Sequence, residues 1–197
     1  MNKYLLIGIA AILSCNQAKQ KEKEVKVDTL VEPSVQTKEV SVPTEEAPKI
    51  SGDFNGDGTT EIAYAIRIKE GQGNPVEDGT PDEYAIRFSD TAIASISIGC
   101  CEARLFNEGD LNHDNADEIS AFQAPMNGNT YGMTTFTLKE NNWKALIEPF
   151  LIPTGGDHIS DKELEERVFM ENDTLYMYDV DFSDEQFKLL KKKVTTK

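Results

Sequence analysis

Carboxylates and amides recur at one fixed spacing in two places along this chain. Asp53, Asn55, Asp57 and Glu61 occupy positions one, three, five and nine of a stretch that runs from Asp53 to Glu61. Asp110, Asn112, Asp114 and Glu118 occupy the same positions of a second stretch, 57 residues further on (110 minus 53). Alternating oxygen-bearing side chains converge only if the backbone turns sharply between them. Position six is Gly58 in one copy and Asn115 in the other, the residue types that best tolerate a left-handed backbone. Position seven, Thr59 or Ala116, then offers its backbone carbonyl. Calcium takes six to eight such hard oxygens at about 2.3–2.6 Å, with water completing the shell. Magnesium demands tighter geometry and keeps its waters. Zinc wants Cys or His, and the loops hold only His113, at an outward-pointing position. The plain alternative is an acidic surface turn rich in Asp and Asn. Two copies in register, each preceded by Gly and followed by an apolar strand, favour the cation.

The elements that must position these loops read as strands. Ile62, Tyr64, Ile66 and Ile68 alternate with Ala63, Ala65 and Arg67, the period of a β-strand. Tyr84 to Phe88 and Ile96 to Ile98 repeat the alternation, and further strands are expected over 103–107, 118–123, 132–139 and 143–151. Asn141-Asn142 reads as the turn of a hairpin before Trp143. Strands over 168–170 and 174–179 are joined by a turn at Glu171-Asn172-Asp173; a last strand runs over 187–194. Asp161 to Glu166 is long enough for one helical turn. Short strands separated by polar turns predict an all-β domain.

Other chemistry is thinly represented. Cys100 and Cys101 are adjacent, which leaves open a bridge between neighbours, two thiols held in structure, or a metal or redox role. His113 and His158 are the only histidines, and no Ser, Cys or second base has the spacing of a nucleophile motif. The Tyr131-Gly132-Met133 and Trp143 region reads either as a binding surface or, as aromatics at alternating strand positions more often are, as core. Lys191-Lys192-Lys193 suits a solvated edge strand, where lysines discourage pairing with other chains.

The acidic stretches resemble the FG-GAP or VCBS-type repeats of integrin-like β-propellers, in which an Asp-x-Asn-x-Asp-Gly-x-x-acid loop leads into a blade strand. Gly52 to Gly58 matches that motif, and Gly109 to Glu118 matches with Asn115 in place of the Gly. The resemblance implies a two-repeat antiparallel β-sheet domain built like propeller blades, with calcium at both loops. Two repeats fall short of the four or more blades of a closed propeller. An EF-hand is excluded, because position twelve is Tyr64 or Ala121 and a strand, not a helix, follows.

The chain begins with Met1-Asn2-Lys3 and an apolar run from Tyr4 to Leu13, about half the length that spans a bilayer as a helix. A positive start, a short apolar core and a small residue have the form of an export signal over residues 1–14. Ile12-Leu13-Ser14-Cys15 resembles the bacterial lipobox, which implies that Cys15 is acylated and becomes the mature N-terminus. Two or three acyl chains anchor stably where one does not. Asn16 rather than Asp favours the outer membrane. Residues 15–49, rich in Lys, Glu, Val, Thr and Pro, read as a lipidated disordered stalk, followed by a β-rich domain over 50–197. The formal net charge of −15 sits on that domain, since residues 1–50 carry seven Lys against seven acids. Nucleic acid and anionic lipid need a basic face, so both are poor partners; a cation suits. The expectation is a non-enzymatic envelope lipoprotein with a calcium-stabilised domain. The alternatives are a calcium-dependent adhesion module for an envelope or extracellular protein or glycan, or a hydrolase built on the acids.

Overall fold

A computed structural model describes residues 48–195. The export signal over 1–14, Cys15 and the stalk up to residue 47 therefore lie outside the described residues. The period-two segments form three antiparallel sheets, and none closes on itself. The first is a four-strand meander of β1 (Lys49–Gly52), β2 (Glu61–Lys69), β3 (Glu83–Phe88) and β4 (Ile96–Gly99), in that order. The second repeats the order with β5 (Ala103–Gly109), β6 (Glu118–Gln123), β7 (Thr130–Lys139) and β8 (Asn142–Ala145). In the second sheet β8 pairs with the end of β7, and β9 (Phe150–Pro153) pairs with its beginning. The third contains β10 (Val168–Glu171), β11 (Thr174–Val180) and β12 (Leu189–Lys193). Its lysine-bearing strand β12 is an edge, as expected.

Local chemistry sets the boundaries. The β7–β8 hairpin closes through Glu140 and Asn141, with φ of 53° and 55°. This is the left-handed pair that a two-residue hairpin needs, one position earlier than the sequence suggested. Asn172 and Asp173 close β10–β11 the same way. The single helical turn, α1 (Asp161–Glu165), begins at a capping box in which the Ser160 hydroxyl accepts from Glu163 N–H and the Glu163 carboxylate accepts in return. The strand expected over 143–151 is two strands instead. Between β8 and β9 the chain drops Leu146 and Ile147, 1% and 2% exposed, into the interior.

The sheets enclose two cores. Ala63, Ala65, Ile86 and Phe88 of the first sheet meet Leu105, Ile119 and Ala121 of the second. On the opposite face of the second sheet, Phe106, Phe122 and Met133 meet Leu164 of α1, Val168 and Leu175. Strand β6 is consequently buried on both faces. Trp143 belongs to the first core: it stacks on Phe88 at 5.3 Å, and its indole N–H donates to the Ala94 carbonyl at 2.7 Å. No helix among the described residues is long and apolar enough to cross a membrane.

Strand β2 turns an unexpected face inward. Ala63 and Ala65 are buried, whereas Ile62 and Ile68 are 45% and 40% exposed. The register explains it, because Ala63 lies beside Phe88 and Ala65 beside Ile86. Large side chains on β3 fill the space that small ones on β2 leave, and two facing sheets pack most densely when large and small alternate.

Candidate metal centre

Each acidic stretch is the connection between the first two strands of a meander, β1 to β2 and β5 to β6. Its second residue anchors it. Phe54 is fully buried in the first core, edge-on to Phe88 at 5.7 Å, and Leu111 is buried in the second. With that residue fixed, the backbone must curl around the first aspartate. Gly58 and Asn115 do adopt the left-handed conformation, with φ of 85° and 70°.

The same four hydrogen bonds hold both loops. Asp53 accepts from the N–H of Asp57 and Gly58 at 3.1 and 2.8 Å; Asp110 accepts from those of Asp114 and Asn115 at 3.1 and 3.0 Å. Asp57 accepts from Thr59 N–H at 2.7 Å, and Asp114 from Ala116 N–H at 3.1 Å. The closing glutamate, Glu61 or Glu118, accepts from Phe54 or Leu111 N–H at 3.0 and 2.6 Å. Position seven thus sits where its N–H is used by the turn, in both copies.

The copies differ in what the oxygens face. One ligand atom from each of Asp53, Asp57 and Glu61 lies within 4.8 Å of the others. That is the largest separation two oxygens can have when each sits about 2.4 Å from a shared ion. Among the described residues no other group of three or more Asp, Glu, His or Cys side chains is drawn so close. Asn55 lies at the mouth of this cluster, its carbonyl accepting from Asp57 N–H at 2.9 Å. The all-oxygen donor set, half-open to water with Asp57 exposed, fits calcium and gives zinc no soft ligand.

In the second loop Asn112 points inward. Its Nδ2 donates to Glu118 Oε1 at 2.7 Å and to Thr137 Oγ1 on β7 at 2.9 Å. The amide therefore stitches the loop to the sheet, and Asp110, Asp114 and Glu118 are not gathered as their counterparts are. His113 points outward, 3.7 Å from Asp173.

Electrostatics separates the acids by depth. The Thr59 N–H holds the Asp57 carboxyl below the usual carboxylate range. Burial pushes Glu61 up, against the Phe54 N–H and with help from Asp57 and Asp53. Burial pushes Glu118 up to about 7, against the hydrogen bonds from Leu111 and Thr137, with Asp114 and Asp110 adding to the rise.

In the sequence Asp117 stands out only as an extra acid of the second loop; its link to the first loop does not. Its Oδ2 accepts from Asp53 N–H at 3.0 Å and from Asn107 Nδ2 at 2.9 Å, and its own N–H donates to the Asp53 carbonyl at 2.7 Å. The two loops are thereby neighbours. Gly52 allows the approach, because a Cβ there would lie 2.6 Å from Asp117 Oδ2. The only signal in the sequence was that position eight is Thr60 in one copy and an acid in the other. Compared with known proteins, the chain matches no family model, no curated protein and no solved structure.

Proposed function

We propose that this chain is a non-enzymatic cell-envelope lipoprotein, anchored through Cys15, whose β domain is held together by calcium at its acidic loops. The observation that carries the calcium reading is the convergence of Asp53, Asp57 and Glu61 within 4.8 Å on a loop fixed at both ends by a core anchor and a strand. Three like charges held that close oppose folding, and a divalent cation reverses the sign. The second loop shares the hydrogen-bonded scaffold, and an ion there would have to draw Asn112 away from Glu118 and Thr137. The FG-GAP reading is supported by the shared meander order, the matched hydrogen bonds and the stepwise anchors, Phe54 in one core and Leu111 in the next. Export and the outer-membrane location rest on residues 1–16 of the sequence.

The test is thermal stability of the full chain with calcium and with chelator. Extracellular modules bind calcium at about 0.1–1 mM. At ten times its dissociation constant the ion contributes about 1.4 kcal/mol per site, a rise of about 3–6 °C in Tm for a domain this size. The Asp53→Ala/Asp110→Ala double variant should melt at one temperature in both buffers. A variant that still responds places the metal elsewhere.

One observation favours a second reading, a calcium-dependent adhesion module. Asn55 of the first loop and Asp114 of the second line one groove of about 490 Å³ together with Lys139 and Lys144. Its two lysines offer partners to a glycan carboxylate, and calcium would offset Asp114 and Glu140, the acids that share the lining. Retention on an acidic glycan column that chelator releases would support it, and equal elution with and without calcium would remove it.

A further inference from the structure

We propose that Cys100 and Cys101 form a reversible thiol–disulfide exchange site, whose state sets the turn between the first two sheets and the groove that turn helps to line. The two cysteines are bonded to each other. Residues adjacent in sequence hold their Cα atoms about 3.8 Å apart across a trans peptide, below the 4.4 Å or so at which bridges begin to be comfortable, and such a bridge is the reducible kind. The backbone records the cost. Cys101 has φ of 145°, in the half of the map that favours glycine.

What holds this conformation is specific. The side chain of Gln123, at the end of β6, donates Nε2–H to the carbonyls of Ile98, Cys100 and Cys101 at 2.8, 2.6 and 3.2 Å. Ala124 N–H donates to the Glu102 carbonyl at 3.0 Å. The second sheet thus grips the three-residue turn that connects β4 to β5. The turn is also a wall: Cys101 and Glu102 line a groove of about 490 Å³ together with Met126 of the β6–β7 connection, Gly71 and Thr80 of the β2–β3 connection, and Tyr84 of β3. Both cysteines are partly exposed, so a reductant reaches them.

The co-reactant is a dithiol. Its thiolate attacks the sulfur of Cys101, a residue that lines the groove, and Cys100 leaves as a thiolate and takes up a proton. The second thiol of the reductant then attacks the mixed disulfide and releases Cys101, which is protonated in turn. Two electrons and two hydrogens pass from the dithiol, now a disulfide, to the cysteine pair. Opening the ring lets Cys101 return to a negative φ, which breaks the geometry that Gln123 grips and moves the groove wall.

The experiment uses the full chain under native conditions, equilibrated across ratios of reduced to oxidised dithiothreitol, then alkylated and digested. The tryptic peptide 88–104 holds both cysteines and no other, so Cys15 does not interfere. The expected result is no alkyl group on the peptide in oxidising buffer, two in reducing buffer, and return to none on reoxidation, with Trp143 fluorescence showing that the fold persists. Hydrogen exchange over 71–82 and 124–127 should rise on reduction, and should rise without reductant in the Cys100→Ser/Cys101→Ser variant. Gln123→Ala should shift the midpoint toward reduction by about fivefold to tenfold, the worth of roughly one net hydrogen bond. Reduction only on unfolding would overturn the proposal. So would two thiols that no disulfide oxidant closes, or full reduction with exchange unchanged.

Discussion

Two residues before the second acidic loop, the Glu108 carboxyl enters the interior with its Oε1 buried and without a hydrogen-bond partner. Burial raises its pKa to about 7, against a hydrogen bond from Ser120 and with the charge of Glu165 adding to the rise. Below pH 4.5 the group is protonated whether the chain is folded or not, and it costs nothing. Between about 4.5 and 7 the unfolded chain gives up its proton while the folded one keeps it, so stability falls as pH rises. Glu108→Gln should therefore stabilise the protein at pH 8 by something on the order of 1–3 kcal/mol and should make little difference at pH 4. Denaturant unfolding of both proteins at the two pH values in chelator checks this; an equal difference at both would contradict it. Glu108 was not legible in the sequence, where an acid on a strand that ends in an acidic loop looks like one more surface charge. Asp53, Asp57 and Glu61 were legible, because spacing alone decides which oxygens a tight turn can bring together. Asp117 was not, since its role depends on where the other loop packs.

At the scale of elements, the alternation on β2 told which residues share a face but not which face is inside. Ile62, Tyr64, Ile66 and Ile68 are the more apolar set, yet the inner face is that of Ala63 and Ala65. The deciding information sits on β3, where Ile86 and Phe88 need small neighbours, and a single strand does not carry it. Ala63→Leu should then destabilise by about 1–3 kcal/mol through overpacking. Ile62→Ala, at a position 45% exposed, should cost well under what a buried isoleucine costs. Chemical denaturation of the two variants gives the order directly, and a reversed order would mean that the sheet faces the other way. Strand β1 was also missed: four residues with Ile50 alone as an apolar signal do not stand out, and only pairing with β2 defines them. The break between β8 and β9 is of the same kind, since Leu146 and Ile147 look like strand residues until a second core exists to receive them.

The molecule as a whole stacks three sheets around two cores, with an acidic loop at the first connection of each full meander. The two acidic stretches, 57 residues apart in the sequence, therefore lie side by side in space, linked at Asp53 and Asp117. That architecture places carboxylates where they repel unless something positive lies among them, on a domain that already carries nearly all of the chain's net charge. Isothermal titration of calcium into the metal-free full chain measures whether something does. Saturable uptake of one to two ions per chain, with dissociation constants of about 0.1–1 mM and loss of the first site in Asp53→Ala, is the expected result. The absence of saturable heat up to several millimolar calcium would contradict it.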